Sequence, residues 1–205
     1  MSSFGEWLRP RFLDLAMRQM DDLRGPTVGL AQGDVLEIGF GTGLNLAHYA
    51  PAVKSLVALE PNIAAGYPPT QARIDAAAFP VERAQLRADS SLPFDSGRFD
   101  FVVSTFTLCS IPQLEKALAE LRRVLRPDGR FVFLEHGRAE AERTARWQDR
   151  LNPLWVRIAD GCNMNRPMDR LVEAGGFRIA ELARFRHKGP GVLAQMFRGV
   201  AERAA

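Results

Sequence analysis

Two cysteines, three histidines and no long apolar run set the first limits on this 205-residue chain. Cys109 and Cys162 stand far apart, so there is no CxxC pair, no zinc-type spacing and no disulfide framework. No apolar stretch reaches the roughly 18 residues of a membrane-spanning helix. The opening MSSFGEWLRP lacks the apolar core of a signal peptide, so a cytoplasmic location is expected. The formal charge is only +3. A pI near 9.2 reflects many Arg residues balanced by acids. That balance is too mild to argue for nucleic acid, and it leaves contact with an anionic membrane surface open. There is no internal repeat and no low-complexity segment.

Hydrophobic content of 46% is enough to fill a core, and the length suits one domain over residues 1–205. That domain is organised around Asp34–Asn45, which reads DVLEIGFGTGLN. Val35, Leu36 and Ile38 form the short apolar run of a buried parallel strand. Gly39, Gly41 and Gly43 follow with GxGxG spacing, and Leu44, Leu46 and Ala47 resume an apolar pattern as a helix would. Strand, glycine turn and helix open a nucleotide-binding βα unit, in which glycines admit a ligand close to the backbone. A dinucleotide fold needs GxGxxG, and Leu44 occupies the third glycine's place. Glu37 at the strand end would repel a pyrophosphate and suits a ligand carrying an ammonium group. S-adenosylmethionine (SAM) has that ammonium and no phosphate.

Upstream, residues 4–24 read as an amphipathic helix with Trp7, Leu8, Phe12, Leu15, Ala16 and Met20 on one face and Pro10 in its first turns. It packs on the domain, closes over the ligand as a lid, or touches lipid. Gly25–Gly33 is a linker. Downstream, Ser55–Leu59 is a second strand ending at Glu60, placed to accept both ribose hydroxyls of a nucleoside. Residues 62–77 are helical but broken by Gly66, Pro68 and Pro69. Val81–Arg87 is a third strand, and Asp89 and Ser90 after it are placed to meet an adenine. Phe99–Ser104 is a fourth strand, ending in Thr105. Pro112 opens a helix through Leu125 with Leu114, Ala117, Leu118, Leu121 and Leu125 at helical spacing. RPDGR is a turn with Gly129 as its positive-φ residue, and Phe131–Leu134 is a fifth strand ending Glu135-His136-Gly137. A polar helix from Glu140 to about Ile158 carries Trp147, Leu151, Leu154 and Trp155, and Ala159–Pro167 is a loop. After a helix over Pro167–Ala174, Phe177–Phe185 and Val192–Val200 form an antiparallel edge pair. Five strand–helix alternations predict an α/β, doubly wound, mostly parallel seven-stranded sheet. Glu37, Glu60, Asp89, Thr105 and His136 then fall at strand C-termini, where such sheets bind ligands.

EIGFGTG, LEPN, LPFDSGRFDFVVS and LRRVLRPDGRFVFLEH resemble the motifs of class I SAM-dependent methyltransferases, over about Asp34 to His136. TLCSIP (Thr107–Pro112), EHGRAE (Glu135–Glu140), WQDRLNPLW (Trp147–Trp155) and DGCNMNR (Asp160–Arg166) are similar to the small thiol S-methyltransferases of the methyltransferase-like group. The resemblance implies SAM as cofactor, held by Glu37, Gly39, Gly41, Gly43, Asn45, Glu60, Pro61, Asp89, Ser90 and Thr105. It also implies a thiol or small lipophilic acceptor. The family's animal members begin with an apolar membrane segment, where this chain has an amphipathic start. Asp89 also stands one residue nearer the Leu-Pro-Phe than the common pattern has it.

Methyl transfer from a sulfonium releases a neutral leaving group, so the protein must align the reactants and present the acceptor as a lone pair. A thiol near pKa 8.5 is partly thiolate at about pH 7, and a base would raise that fraction. His136 is the candidate base, and Trp155, Asp160 and Cys162 are candidates to line the acceptor pocket. A phospholipid amine or a quinone is the alternative acceptor, and a SAM-binding module without transfer is the reading from another class.

Overall fold

The computed structural model describes residues 3–61 and 67–204, with the side chains of residues 3–9 and of Leu13 outside that description. Trp7 and Leu8 of the expected apolar stripe therefore lie outside the described side chains, as does Gly66 at the break expected in 62–77. Seven strands are formed by the apolar runs: β1 (Gly33–Ile38), β2 (Val53–Leu59), β3 (Val81–Ala84), β4 (Phe99–Thr105), β5 (Leu125–His136), β6 (Phe177–Arg186) and β7 (Gln195–Arg203). They make one sheet in the order β3-β2-β1-β4-β5-β7-β6. β1 to β5 pair in parallel, and β7 runs antiparallel between β5 and β6. This is the expected doubly wound α/β sheet with an antiparallel edge pair.

The central strands β1, β2 and β4, and β5 beyond its first residues, are buried on both faces, as their near-continuous apolar runs require, while the edge strands β3 and β6 are more exposed. On one face Leu36, Ile38, Val102, Phe131 and Phe133 pack against Leu114, Ala117, Leu118 and Leu121 of α4 (Leu114–Val124). Met168 and Val172 of α6 (Met168–Ala174) join that cluster. On the other face Val35, Leu56, Phe101, Val103 and Val132 meet Val28, Leu46 and Ile74. These come from short pieces: α2 (Gly25–Val28), a 3-10 turn over Leu44–His48, and α3 (Pro68–Asp75). The chain jumps from β3 at the sheet edge to β4 beside β1. That reversal opens a crevice at the C-terminal ends of β1 and β4, where open α/β sheets bind ligands.

Several boundaries differ from the sequence reading. The helix after the glycine motif is a 3-10 turn ending at His48, because Pro51 leaves no room for a second turn. The Gly25–Gly33 linker contains α2, with Pro26 in its first turn. Gly129 does not take a positive φ; Gly97 does, at 69°. Gly129 lies within β5, where a Cβ would sit 2.7 Å from Leu125 Cδ1 and 2.9 Å from the Asp100 carbonyl. Its glycine is demanded by close packing rather than by a turn.

The N-terminal helix differs most. It spans Ser3–Arg18 as α1, with Pro10 inside it. It turns a polar side inward. Asp14 is buried and accepts from Thr42 Oγ1 at 2.7 Å, and Arg73 lies 2.7 Å from the same carboxylate. Phe12 and Leu15 face solvent, 76% and 67% exposed. Among the described side chains of this helix, Asp14 ties it to α3 through the Arg73 ion pair and to the glycine loop through the Thr42 hydrogen bond.

Candidate active site

Gly39, Gly41 and Gly43 all adopt positive φ, at 69°, 56° and 80°, so the backbone turns sharply above β1 where side chains are disfavoured. A Cβ on Gly39 would lie 2.0 Å from Thr107 Oγ1. The Gly41 N–H donates to Glu60 Oε2 at 2.9 Å, which fixes the carboxylate at the end of β2 against the loop. This narrow cradle beside a carboxylate fits the adenosyl and amino-acid parts of SAM.

Beneath the cradle, Glu37 is buried. It accepts from Tyr49 Oη at 2.6 Å and from Asn45 Nδ2 at 2.9 Å. Burial pushes its carboxyl up to about 7, against those two hydrogen bonds and the Arg24 charge. Arg24 is also buried, and its Nη1 donates to Asn45 Oδ1 at 2.6 Å and Thr105 Oγ1 at 3.0 Å. Its guanidinium lies over the Phe106 ring at 5.4 Å. Three sequence-predicted residues, Glu37, Asn45 and Thr105, thus meet around one arginine that the sequence reading placed in a helix end. Nothing local marks Arg24; its partners are up to 81 positions away.

The other side of the crevice is built from the ends of β4 and β5. Glu135 Oε1 accepts from Ser104 Oγ at 2.7 Å and from the Thr107 and Leu108 N–H groups at 3.0 and 3.1 Å. These bonds shape the turn after β4, in which Phe106 takes a φ of 55° that bulky residues avoid. His136, the next residue, points its Nε2 to within 2.8 Å of Cys162 Sγ. Trp155 Nε1 donates to the same sulfur at 3.4 Å. Cys109 completes the group, all three ligating atoms of Cys109, His136 and Cys162 lying within 4.8 Å of one another. Cys109 beside it and burial push the Cys162 thiol well up. Burial opposes charging of His136, but Cys162 and Glu135 outweigh it and hold the imidazole above its ordinary range. The sequence spacing excluded a zinc pattern; the fold nevertheless brings two Cys and one His together, from three separate segments.

α5 (Glu142–Ile158) and the Ala159–Pro167 loop carry Trp155, Asp160 and Cys162, the residues expected to line an acceptor pocket. Trp155 and Cys162 touch as stated, whereas Asp160 is exposed at a φ of 52° and turns the chain with Gly161. Asn163 N donates to the Cys109 carbonyl at 2.9 Å. Arg166 donates to the Leu108 carbonyl and, at 2.9 Å, to that of Ile111. Asn163 and Arg166 therefore clamp the loop to the β4 turn, a role no local signal announced. Asp89, expected at the adenine, pairs with Arg87 at 2.8 and 2.9 Å and accepts from Gln113 N at 3.2 Å. Ser90 Oγ donates to the Arg87 carbonyl at 2.6 Å, and exposed Pro61 accepts from Gln85. A separate cavity of about 520 Å³ is lined by charged groups including Arg138, Glu140, Asp169 and Arg184. Arg184 is paired to Asp169 and Arg138 to Asp149. None of the cavity's lining residues belongs to the glycine turn or to the ends of β1, β2 and β4.

Comparison with known proteins identifies the family. Residues 36–133 match the model of the methyltransferase domain. The human thiol S-methyltransferase TMT1A is 32% identical over 165 residues, which are 80% of this chain and 66% of that protein. The chain thus spans about two thirds of that relative's length. The demethylmenaquinone methyltransferase of Thermus thermophilus is 36% identical over 142 residues, covering 65% of this chain and 56% of the relative. The 1,6-didemethyltoxoflavin N1-methyltransferase of Burkholderia thailandensis, solved with S-adenosylhomocysteine, shares the fold with a TM-score of 0.63. It is 17% identical, over 93% of this chain and 79% of that one. With the glycine cradle, the strand-end carboxylates and the sheet order already in place, and with the human thiol S-methyltransferase TMT1B 30% identical over 79% of this chain and 67% of that protein, the chain belongs to the class I SAM-dependent methyltransferases.

Proposed function

We propose that this methyltransferase transfers its methyl group to the sulfur of a small thiol. SAM supplies an activated methyl on a sulfonium. The chain's own residues hold the cofactor, orient the acceptor and deprotonate it. In this reading Glu60 takes the ribose hydroxyls, Asp89 and Ser90 flank the adenine with Pro61 near the ribose, and Gly39, Gly41 and Gly43 admit the backbone of the ligand. Glu37, with Asn45 and Thr105, faces the amino-acid end. The observation that carries the thiol reading is the group of Cys109, His136, Trp155 and Cys162 at the ends of β4 and β5. It borders the crevice with sulfur, imidazole and indole, which suits a soft acceptor, and His136 assists loss of the thiol proton. The likeness to TMT1A supports the same acceptor class.

A lipophilic acceptor, a quinone or a phospholipid amine, is the second reading. It is favoured by the exposed Phe12 and Leu15 on α1 and the exposed Leu154 and Ile158 on α5. No helix among the described residues is long and apolar enough to cross a membrane, so any contact would be peripheral. The test is incubation with methyl-labelled SAM and a panel of thiols, amines and quinones. A labelled thioether is expected. Methylation of an amine or quinone with every thiol refused would overturn the thiol reading and leave the methyltransferase standing.

A further inference from the structure

Cys109, His136 and Cys162 are held closer and more firmly than buried thiols need to be for packing. Each comes from a different segment: the turn after β4, the last residue of β5 and the loop after α5. The two cysteine-bearing segments are tied backbone to backbone by Asn163 N to the Cys109 carbonyl. They are tied again by Asn163 Nδ2 to that carbonyl at 3.2 Å and by the two Arg166 bonds. Cys162 and Cys109 are thus positioned by the chain on both sides before any ligand arrives.

The donor set is two sulfurs and one imidazole nitrogen, with no oxygen. Hard cations such as magnesium and calcium need oxygen ligands, and an iron–sulfur cluster needs four cysteine or histidine ligands where three are present. Two thiolates and a histidine suit zinc, and three protein ligands with one open position is the pattern of a reactive rather than a structural zinc site. Zinc at about 2.3 Å from sulfur and about 2.0–2.1 Å from nitrogen sets tetrahedral ligand atoms roughly 3.5–3.8 Å apart. The three ligand atoms lie within 4.8 Å of one another, and metal entry needs His136 Nε2 and Cys162 Sγ, now 2.8 Å apart, to part to about that spacing. The surroundings fit as well. Trp155 Nε1–H donates to Cys162, and Ser110 Oγ lies 3.6 Å from Cys109 Sγ. Hydrogen bonds to ligand sulfurs are the outer-shell contacts that tune such sites. His136 Nδ1 is buried and has no partner among the described residues, so the usual outer-shell acceptor for a ligating imidazole is not supplied there by them.

From this geometry we infer that Cys109, His136 and Cys162 form a three-ligand zinc site whose fourth position takes the sulfur of the acceptor. The inference rests on the thiol reading and deepens it: the metal, with His136 as its ligand, takes over the part given above to His136 as base. The acceptor thiol binds zinc as thiolate and gives its proton to solvent. A sulfur lone pair then forms the new S–CH3 bond as the methyl–sulfonium bond breaks. The bonding pair returns to the departing cofactor, which leaves as neutral S-adenosylhomocysteine. The product thioether is a weak zinc ligand and is released.

The experiment uses the full chain without a metal-binding tag, reconstituted with zinc and then separately with cobalt(II). About one zinc per chain is expected by elemental analysis. The cobalt form should show thiolate-to-metal charge transfer and tetrahedral d–d bands. Adding 2-mercaptoethanol or thiophenol without SAM should strengthen the charge-transfer band as a third thiolate joins. Cys162→Ser and Cys109→Ser should lose the metal at least tenfold while still binding SAM, which shows them folded. A wild-type chain that binds SAM yet retains no zinc and gives no thiolate–cobalt band overturns the site, as does a Cys109–Cys162 disulfide in the reduced cytosolic preparation. Undiminished thiol methylation by the zinc-free chain would overturn the metal and keep the thiol reading. Stoichiometric zinc in a chain that methylates only amines or quinones would keep the metal and overturn the thiol reading.

Discussion

Glu37 makes the stability of this protein depend on pH in a direction opposite to that of most carboxylates. Its carboxyl sits at about 7 in the folded chain against an ordinary 4.5, because burial outweighs Tyr49, Asn45 and Arg24. The folded state therefore holds the proton more tightly than the unfolded chain. Stability from this group is fully present below pH 4.5 and is lost as pH rises toward about 7. The difference of roughly 2.5 units corresponds to about 3 kcal/mol. Glu37→Gln replaces the proton-bearing carboxyl with a neutral amide of the same shape, and the Tyr49 hydroxyl can turn to accept from it. The variant should match the wild type at about pH 4 and exceed it by about 3 kcal/mol at about pH 8. For a chain of this length that is roughly 5–10 °C in relative melting temperature. Urea unfolding and calorimetry of both proteins across that range, without cofactor, measure the gap directly. Taking the difference between the two proteins cancels every other titrating group. Parallel curves, with a constant gap from acid to alkaline pH, would show that Glu37 is not the buried, protonated group described here.

Three further outcomes are expected. Glu60→Ala should weaken SAM by roughly 2–3 kcal/mol in calorimetric titration, the range for charged hydrogen bonds; an unchanged affinity would remove Glu60 from the ribose. Gly39→Ala forces a methyl to 2.0 Å from Thr107 Oγ1 at a φ of 69°, so it should lower the melting temperature and abolish SAM binding, and a wild-type dissociation constant would refute the cradle. Anionic vesicles should co-sediment the protein in a salt-sensitive way through the exposed apolar residues of α1 and α5. The double change Leu154→Glu and Ile158→Glu should release it, and equal sedimentation of wild type and variant would confine those residues to another role.

The seven strands, the glycine turn and the buried face of α4 could be read from the chain alone. Each rests on a pattern contained within a dozen residues: an apolar run, a glycine spacing, or leucines at helical intervals such as Leu114, Leu118 and Leu121. Glu60 was legible for the same reason, since it closes a strand directly after a recognisable apolar run. The rest needed the tertiary structure because its partners are remote in sequence. Arg24 finds Asn45 and Thr105 only once β1 and β4 lie side by side. Asp14 faces inward from α1 to meet Arg73 and Thr42, both remote from it in sequence. Gly129 is dictated by the carbonyl of Asp100 across the sheet, not by its own turn. Cys109, His136 and Cys162 carry no spacing that announces a site. Neighbouring strand ends bring the first two together, and the loop clamped by Asn163 and Arg166 delivers the third.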